Sequence, residues 1–216
     1  MNIVLITSVI NTPNKALSYS ATRSVFTLKQ RFEQTKQTIE SIQNKLKDVI
    51  IIIVECSDFN KEEEEYFNKN CDYVFNLWDK KEIHNNIFGQ SKSLGEGTMT
   101  IEALKYIEEL KLEYNYLYKI SGRYWLNENF KISNVENNVF KKINNNENNI
   151  FTALYKLNHK TVQQILEFLI SNIEPMQKCI GYEVLISHFV KNIDKNFVDI
   201  IGLSGFVTVC GSEYNG

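Results

Sequence analysis

Val49-Ile50-Ile51-Ile52-Ile53-Val54-Glu55-Cys56-Ser57-Asp58 is the stretch from which the architecture follows. Its first six residues are apolar and β-branched without a break. That suits a strand covered on both faces, because a strand open to water on one side alternates apolar and polar residues. Ile3 to Ile10 has the same character. Between the two runs lie an irregular polar segment, 11–26, and a stretch with helical spacing. Thr27 followed by Gln30 has the spacing of a capping box. Leu28, Phe32, Thr35, Ile39, Ile42 and Leu46 then recur at intervals of three and four, which places them on one helix face. Strand, crossover helix, strand is the unit that makes neighbouring strands parallel.

The alternation continues on the C-terminal side. The pattern predicts a charged helix over 61–70, a strand over 72–76 and a loop over 77–90. A helix then begins within 93–98 and runs to about Leu110, with Met99, Ala103 and Ile107 facing inward. A strand is expected over 116–120. Further on, the Asn-rich segment 144–149 reads as a surface loop and 150–157 as a strand. Helices are expected over 161–173 and 180–192, broken by Pro175. Late strands are expected over 197–201 and 206–210, with Gly202 and Gly205 between them. The expectation is a single α/β domain with a mostly parallel, Rossmann-like sheet and helices on both faces.

Composition narrows the function classes. Hydrophobic residues make up 43% and charged residues 23%, as in a folded domain and unlike a disordered chain. Lys plus Arg is 24 against 26 Asp plus Glu, a formal charge of −2. Nucleic-acid and anionic-membrane binders need concentrated positive charge, so no nucleic-acid partner is expected. Cys56, Cys71, Cys179 and Cys210 form no C-x-x-C pair, so zinc is not indicated and reduced, mostly buried thiols are expected. The apolar N-terminus lacks a preceding basic region and reads as a core strand, not a signal peptide. No run approaches the ~20 apolar residues that cross a bilayer. A cytoplasmic protein is expected, meeting any membrane-attached substrate from that side.

In open parallel sheets, ligands bind at the carboxyl ends of the strands. Those ends are Thr7-Ser8, Glu55-Cys56-Ser57-Asp58 and Ser121-Gly122-Arg123-Tyr124, joined by the helix opening Lys92-Ser93-Leu94-Gly95-Glu96-Gly97. Neither G-x-G-x-x-G nor a P-loop is present. Ser8 has no G-x-S-x-G context, and His84, His159 and His188 are scattered, which gives a hydrolase triad no support.

Several segments, in order, resemble GT-A type glycosyltransferases. VIIIIVECSD is similar to that group's second strand, which closes on an acidic residue. QTKQTIESIQ (34–43) resembles its first helix. KSLGEGTMTIEAL (92–104) resembles its glycine-containing helix opening, and YLYKISGRYWL (116–126) lies where an Asp-x-Asp motif usually stands. Together, RSVFTLKQRFEQT, KSLGE and KISGRYWL resemble uncharacterised glycosyltransferase-like proteins of polysaccharide loci and large DNA viruses. The likeness covers roughly the first 60% of the chain. It implies a GT-A-like domain with a nucleotide-binding half (1–126) and an acceptor-side half (127–216). The activity implied is hexosyl transfer from a nucleoside-diphosphate sugar donor to a glycan or lipid-linked acceptor. Glu55 would meet the base or ribose, and Thr7, Ser8, Ser57 and Ser121 would line the donor site.

One departure matters. The group's Asp-x-Asp holds Mn²⁺ or Mg²⁺ against the diphosphate, but the matching place here is Ser121-Gly122-Arg123. Hard divalent ions need carboxylate oxygens, so no metal ligand is assigned and the transfer is read as metal-independent, with a Mn²⁺ or Mg²⁺ cofactor left open as the alternative. Lys and Arg can meet the leaving charge instead. Arg123 is the foremost candidate, with Gly122 giving the backbone room to approach a ligand; a loop ion pair is the competing reading. Arg23, Arg31 and Lys92 are further candidates for phosphate contact or, equally, solvated charges. Lys119 points either to the site or to the opposite face. Glu183, opening a late apolar helix, is a candidate base for the acceptor hydroxyl, or simply a carboxylate favoured at a helix N-terminus. Tyr19, Tyr124 and Trp125 are candidate stacking surfaces for base or sugar, or core aromatics. Two other functions stay open: a nucleotidyltransferase or other nucleotide-handling enzyme, disfavoured by the lack of glycine in 11–21, and a degenerate transferase fold acting as a binding module.

Overall fold

The computed structural model describes residues 1–207 and 209–216. Its centre is a seven-stranded sheet built from β1 (Asn2–Ser8), β2 (Val49–Glu55), β3 (Tyr73–Asn76), β4 (Tyr116–Ser121), β6 (Val139–Phe140), β9 (Leu154–Asn158) and β10 (Asn196–Phe197), in the order β10-β6-β9-β4-β1-β2-β3. β1 pairs parallel with both β2 and β4, and β2 with β3. β9 is antiparallel to β4 and β6, so six of the seven strands run one way. The result is a mixed α/β, Rossmann-like sheet.

The β-branched runs behave as their period requires. In β1, Ile3 and Leu5 join one buried cluster with Ile52 and Val54, while Val4 and Ile6 join a second with Ile51 and Ile53. Both faces are therefore covered. The first cluster also takes residues of α4 (Lys92–Leu110), α5 (His159–Ser171) and α7 (Tyr182–Lys191); the second takes residues of α1 (Leu28–Lys45) and α2 (Lys61–Asn70). Thr27 and Gln30 form the capping box of α1, and Asn60 with Glu63 forms another on α2. Phe32, Ile39 and Ile42 are buried as expected, but Leu28 in the first turn is exposed.

Several segments differ from the reading of the sequence. The loop 77–90 contains a short helix, α3 (Lys81–Ile87), with no side-chain cap; Trp78, His84 and Phe88 hold it through edge-on ring contacts. The Asn-rich segment is a hairpin of β7 (Lys142–Ile143) and β8 (Asn146–Ile150). Its two turn residues, Asn144 and Asn145, sit at φ 51° and 56°, a backbone that asparagine tolerates better than most side chains. Pro175 lies inside a five-residue helix, α6 (Ile173–Gln177), in the first turn, where a missing N–H costs no hydrogen bond.

A small antiparallel sheet of β5 (Tyr124–Leu126), β11 (Leu203–Phe206) and β12 (Glu213–Asn215) packs beside the large one. β11 ends at Phe206, where the expected strand over 206–210 was to begin, and Thr208 of that segment lies outside the described residues. Of the four thiols, Cys56 and Cys71 are buried, whereas Cys179 and Cys210 are exposed. Among the described residues, no helix is long and apolar enough to cross a membrane.

Candidate functional site

The carboxyl ends of β1 and β4 and the first turns of α4 line a cleft open to solvent. Thr7, Ser8, Arg23, Arg31, Lys92, Ser121 and Arg123, all singled out from the sequence, line it. Only three of the chain's 24 basic residues are arginine, and all three are here. Among the described residues, none of them pairs with a carboxylate; every ion pair in the chain uses a lysine.

The three guanidinium groups are not equivalent. Arg23 spends its two terminal nitrogens on the backbone carbonyls of Ile87 and Gly89, fastening the segment after β1 to the end of α3. Arg31 projects from α1, is 3% exposed, and gives Nε and Nη2 to the Val9 carbonyl at 3.1 and 2.7 Å. Its buried Nη1 has no partner, and neither have the buried Nε atoms of Arg23 and Arg123. Burial, then repulsion from Arg123, lowers the Arg31 pKa to about 9, against the pull of Glu55. It therefore remains charged at neutral pH, a buried cation with donor capacity to spare. Such a group is costly unless an anion meets it.

Glu55, Ser57 and Gly122 lie behind the wall, not on it. Glu55 is fully buried, and its Oε1 accepts from Ile10 N, Cys56 N and Ser57 Oγ at 3.1, 2.9 and 2.7 Å. Ser57 Oγ in turn accepts from Asn11 N at 2.9 Å. The pair ties the exit of β1 to the exit of β2, and burial pushes the Glu55 carboxyl upward. The space beside Gly122 is taken by protein rather than left for a ligand: a Cβ there would stand 2.8 Å from Ser8 Cβ and 3.2 Å from Thr35 Oγ1. Thr35 Oγ1 donates to Gly122 O at 2.9 Å, so this glycine lets the turn after β4 press against α1 and aims Arg123.

Two further cavities adjoin the cleft. One lies between α4, Tyr19 and the Gly181–Glu183 turn; the other between Tyr124, Thr152 and Glu183. Glu183 thus faces both. Burial, then the nearby Glu96, raises its pKa, while Lys92 pulls the other way. Of the stacking candidates, Tyr19 is exposed at the first cavity, Tyr124 is buried at the second, and Trp125 packs on Phe206.

Glu96 and Lys119 are the residues that reading the sequence did not place. Lys119 is fully buried and points to the site: its Nζ donates to Glu96 Oε1 at 3.3 Å, Ser121 Oγ at 3.1 Å and Thr152 O at 3.0 Å. Burial raises the Glu96 carboxyl, but Lys119, Lys92 and Arg123 outweigh it and hold it below its ordinary value. Glu96 follows Lys92 by one helical turn, which is the signal that would have set both on one face.

This donor set does not fit a hard divalent ion. The end of β4 offers a hydroxyl and a guanidinium, and Glu96 is engaged by an ammonium. Among the described residues, no three His, Cys, Asp or Glu side chains cluster as a metal centre requires. The cleft is suited to an anion instead, with Arg31, Arg123 and Lys92 around it and the N-terminus of α4, capped by Ser91, beside it.

No protein-family model matches the chain, and no curated protein matches it. Solved structures do. One is a nucleoside-diphosphate-sugar pyrophosphorylase from Vibrio cholerae RC9, 10% identical, with a TM-score of 0.51 over 94% of this chain and 94% of that one. At this identity the two chains share a fold.

Proposed function

We propose that this chain is a nucleotide-sugar enzyme, and specifically a glycosyltransferase that moves a hexosyl group from a nucleoside-diphosphate sugar to a hydroxyl of a glycan or lipid-linked acceptor. The observation that carries the reading is the convergence of Arg31, Arg123 and Lys92, without a carboxylate partner for either arginine, at the strand ends where this fold places ligands. Resemblance of the ordered sequence segments to GT-A type transferases supports it, and the name of the similar structure supports its nucleotide-sugar part.

In the reaction, the acceptor oxygen bonds to the anomeric carbon as the bond from that carbon to the diphosphate oxygen breaks. The electron pair leaves with the diphosphate, and Arg31, Arg123, Lys92 and the α4 N-terminus meet the charge that develops there. Glu183 takes the acceptor proton. Its raised pKa suits that role, because an ordinary carboxylate is a weak base at neutral pH.

Nucleotidyl transfer is the second reading, favoured by the pyrophosphorylase activity in the similar structure's name. One experiment separates the two. Melting temperature is followed with nucleoside diphosphates and nucleotide sugars, with and without Mn²⁺, and released products are analysed. Metal-independent stabilisation and release of a nucleoside diphosphate support glycosyl transfer. Pyrophosphate-dependent release of a nucleoside triphosphate supports nucleotidyl transfer. No shift with any nucleotide sinks both.

A further inference from the structure

The arginine cleft and the two cavities beside it meet at α4, and only Lys92 and Glu96 line all three. Lys92 needs little explanation next to a diphosphate. Glu96 does, because a carboxylate beside a phosphate site repels the ligand unless it has another task.

Its geometry points to one. Oε1 is taken by Lys119 Nζ and, at 3.4 Å, by Thr152 Oγ1. Among the described residues, no donor reaches Oε2, and the side chain keeps 19% of its exposure, directed into the cavities. Lys119 is fully buried, which anchors one end of the pair in the core. Glu183 lines the same two adjoining cavities. Next to the cationic cleft there is thus a lobe with two carboxylates, lined as well by Lys92 and, in one of its cavities, by Arg123. On the nucleotide-sugar reading, a sugar joined to a diphosphate at Arg31 and Arg123 would enter that lobe, because it adjoins the cleft and is lined by Glu183.

We infer that Glu96 reads the transferred sugar: its free oxygen accepts hydrogen bonds from the hydroxyls of a neutral hexose, and with Glu183 it excludes hexuronic acids. Hydroxyls donate well to a charged acceptor, whereas a sugar carboxylate placed at that free oxygen has no proton to donate and meets Glu96 as a like charge. The inference rests on the nucleotide-sugar reading above and adds the sugar class to it.

Isothermal titration calorimetry on the full chain tests it with UDP, UDP-glucose and UDP-glucuronate, and with GDP, GDP-mannose and GDP-mannuronate. The neutral sugar nucleotide of the binding series is expected to bind about tenfold or more tightly than its uronate. Glu96→Gln, which keeps an oxygen for Lys119, should narrow that ratio to about threefold or less while affinity for the bare diphosphate stays or rises. Glu183→Gln should narrow it as well, which guards against a folding defect in the first variant. Equal affinity for hexose and uronate in the unmodified protein overturns the inference and leaves the nucleotide-sugar reading standing. So does an unchanged ratio in both variants. Failure of both UDP and GDP to bind overturns the reading itself, and the inference with it.

Discussion

Lys119 Nζ stands 3.3 Å from Glu96 Oε1, joining the central strand β4 to the second turn of α4 at the meeting point of three cavities. The two ends of this bond are unequal: Lys119 is fully buried, and Glu96 is 19% exposed. Removing one partner of a buried pair strands the other, and the cost follows how well the survivor can reach water. Glu96→Ala is expected to destabilise by about 3 kcal/mol, since it leaves an ammonium in the core with one carbonyl and one hydroxyl. Lys119→Met should cost less, because Glu96 can turn towards the cleft. Urea unfolding of both variants measures the difference; equal losses would contradict the asymmetry.

Arg31 and Arg23 give opposite expectations. Arg31 lines the cleft and its buried Nη1 has no partner, so Arg31→Lys, which loses the fork, should weaken nucleoside-diphosphate binding on the order of 10- to 100-fold. Arg23 also leaves its buried Nε unpaired, but both of its terminal nitrogens are committed to the carbonyls of Ile87 and Gly89. Its Lys variant should lower the melting temperature and change affinity only slightly. Titration calorimetry paired with thermal melting reads both.

The pH dependence of turnover follows from Glu183. A base must be ionised, and burial and then Glu96 raise its pKa. Turnover should therefore fall, as pH decreases, along a limb lying above the ordinary glutamate value of about 4.3. In Glu96→Gln the second cause is gone and burial remains, so the limb should move to lower pH without reaching that value. Glu183→Gln should retain donor binding and lose at least about 100-fold in turnover. A pH–rate profile with an unmoved limb would show that Glu183 is not the titrating base.

Gly122→Ala tests the packing that aims Arg123. The new Cβ would stand 2.8 Å from Ser8 Cβ and 2.9 Å from Ser8 Oγ, too close for either wall to absorb freely. A loss of about 1–3 kcal/mol is expected, with weakened nucleotide binding. Unfolding and binding are measured on the same preparation.

Asn145→Gly tests the hairpin. With φ 56° at Asn145 following 51° at Asn144, the turn is one that Asn-Gly fits best. The substitution should stabilise by roughly 0.3–1 kcal/mol, read as a rise in the urea midpoint with no change in slope.

Much of the fold is legible in short windows of sequence. The β-branched runs at Ile3 and Val49 announce doubly covered strands because side chains alternate with a period of two, and both alternating sets are apolar. Thr27 and Gln30 announce the start of α1 because the reciprocal cap needs only two residues three apart. The hairpin at Asn144 and α3 were hidden for a matching reason. Asn-rich composition resembles a loop until both turn residues adopt positive φ, and α3 is held by rings from outside its own seven residues.

The site divides along the same line. Strand-end position sufficed to bring Ser121 and Arg123 to one cleft, because a parallel sheet puts its carboxyl ends on one edge, and Arg23, Arg31 and Lys92, named as candidate cations, line it too. Tertiary structure alone decided that Arg23 is a strut and Arg31 a free donor, that Glu55 and Ser57 bind strand ends together, and that Gly122 makes room for Ser8. It also decided that Glu96 and Lys119, 23 positions apart, share one bond at the centre of the site. Periodicity and capping act over a few residues of chain, whereas charge pairing and desolvation act through space, and their outcome depends on distances that no window of sequence contains.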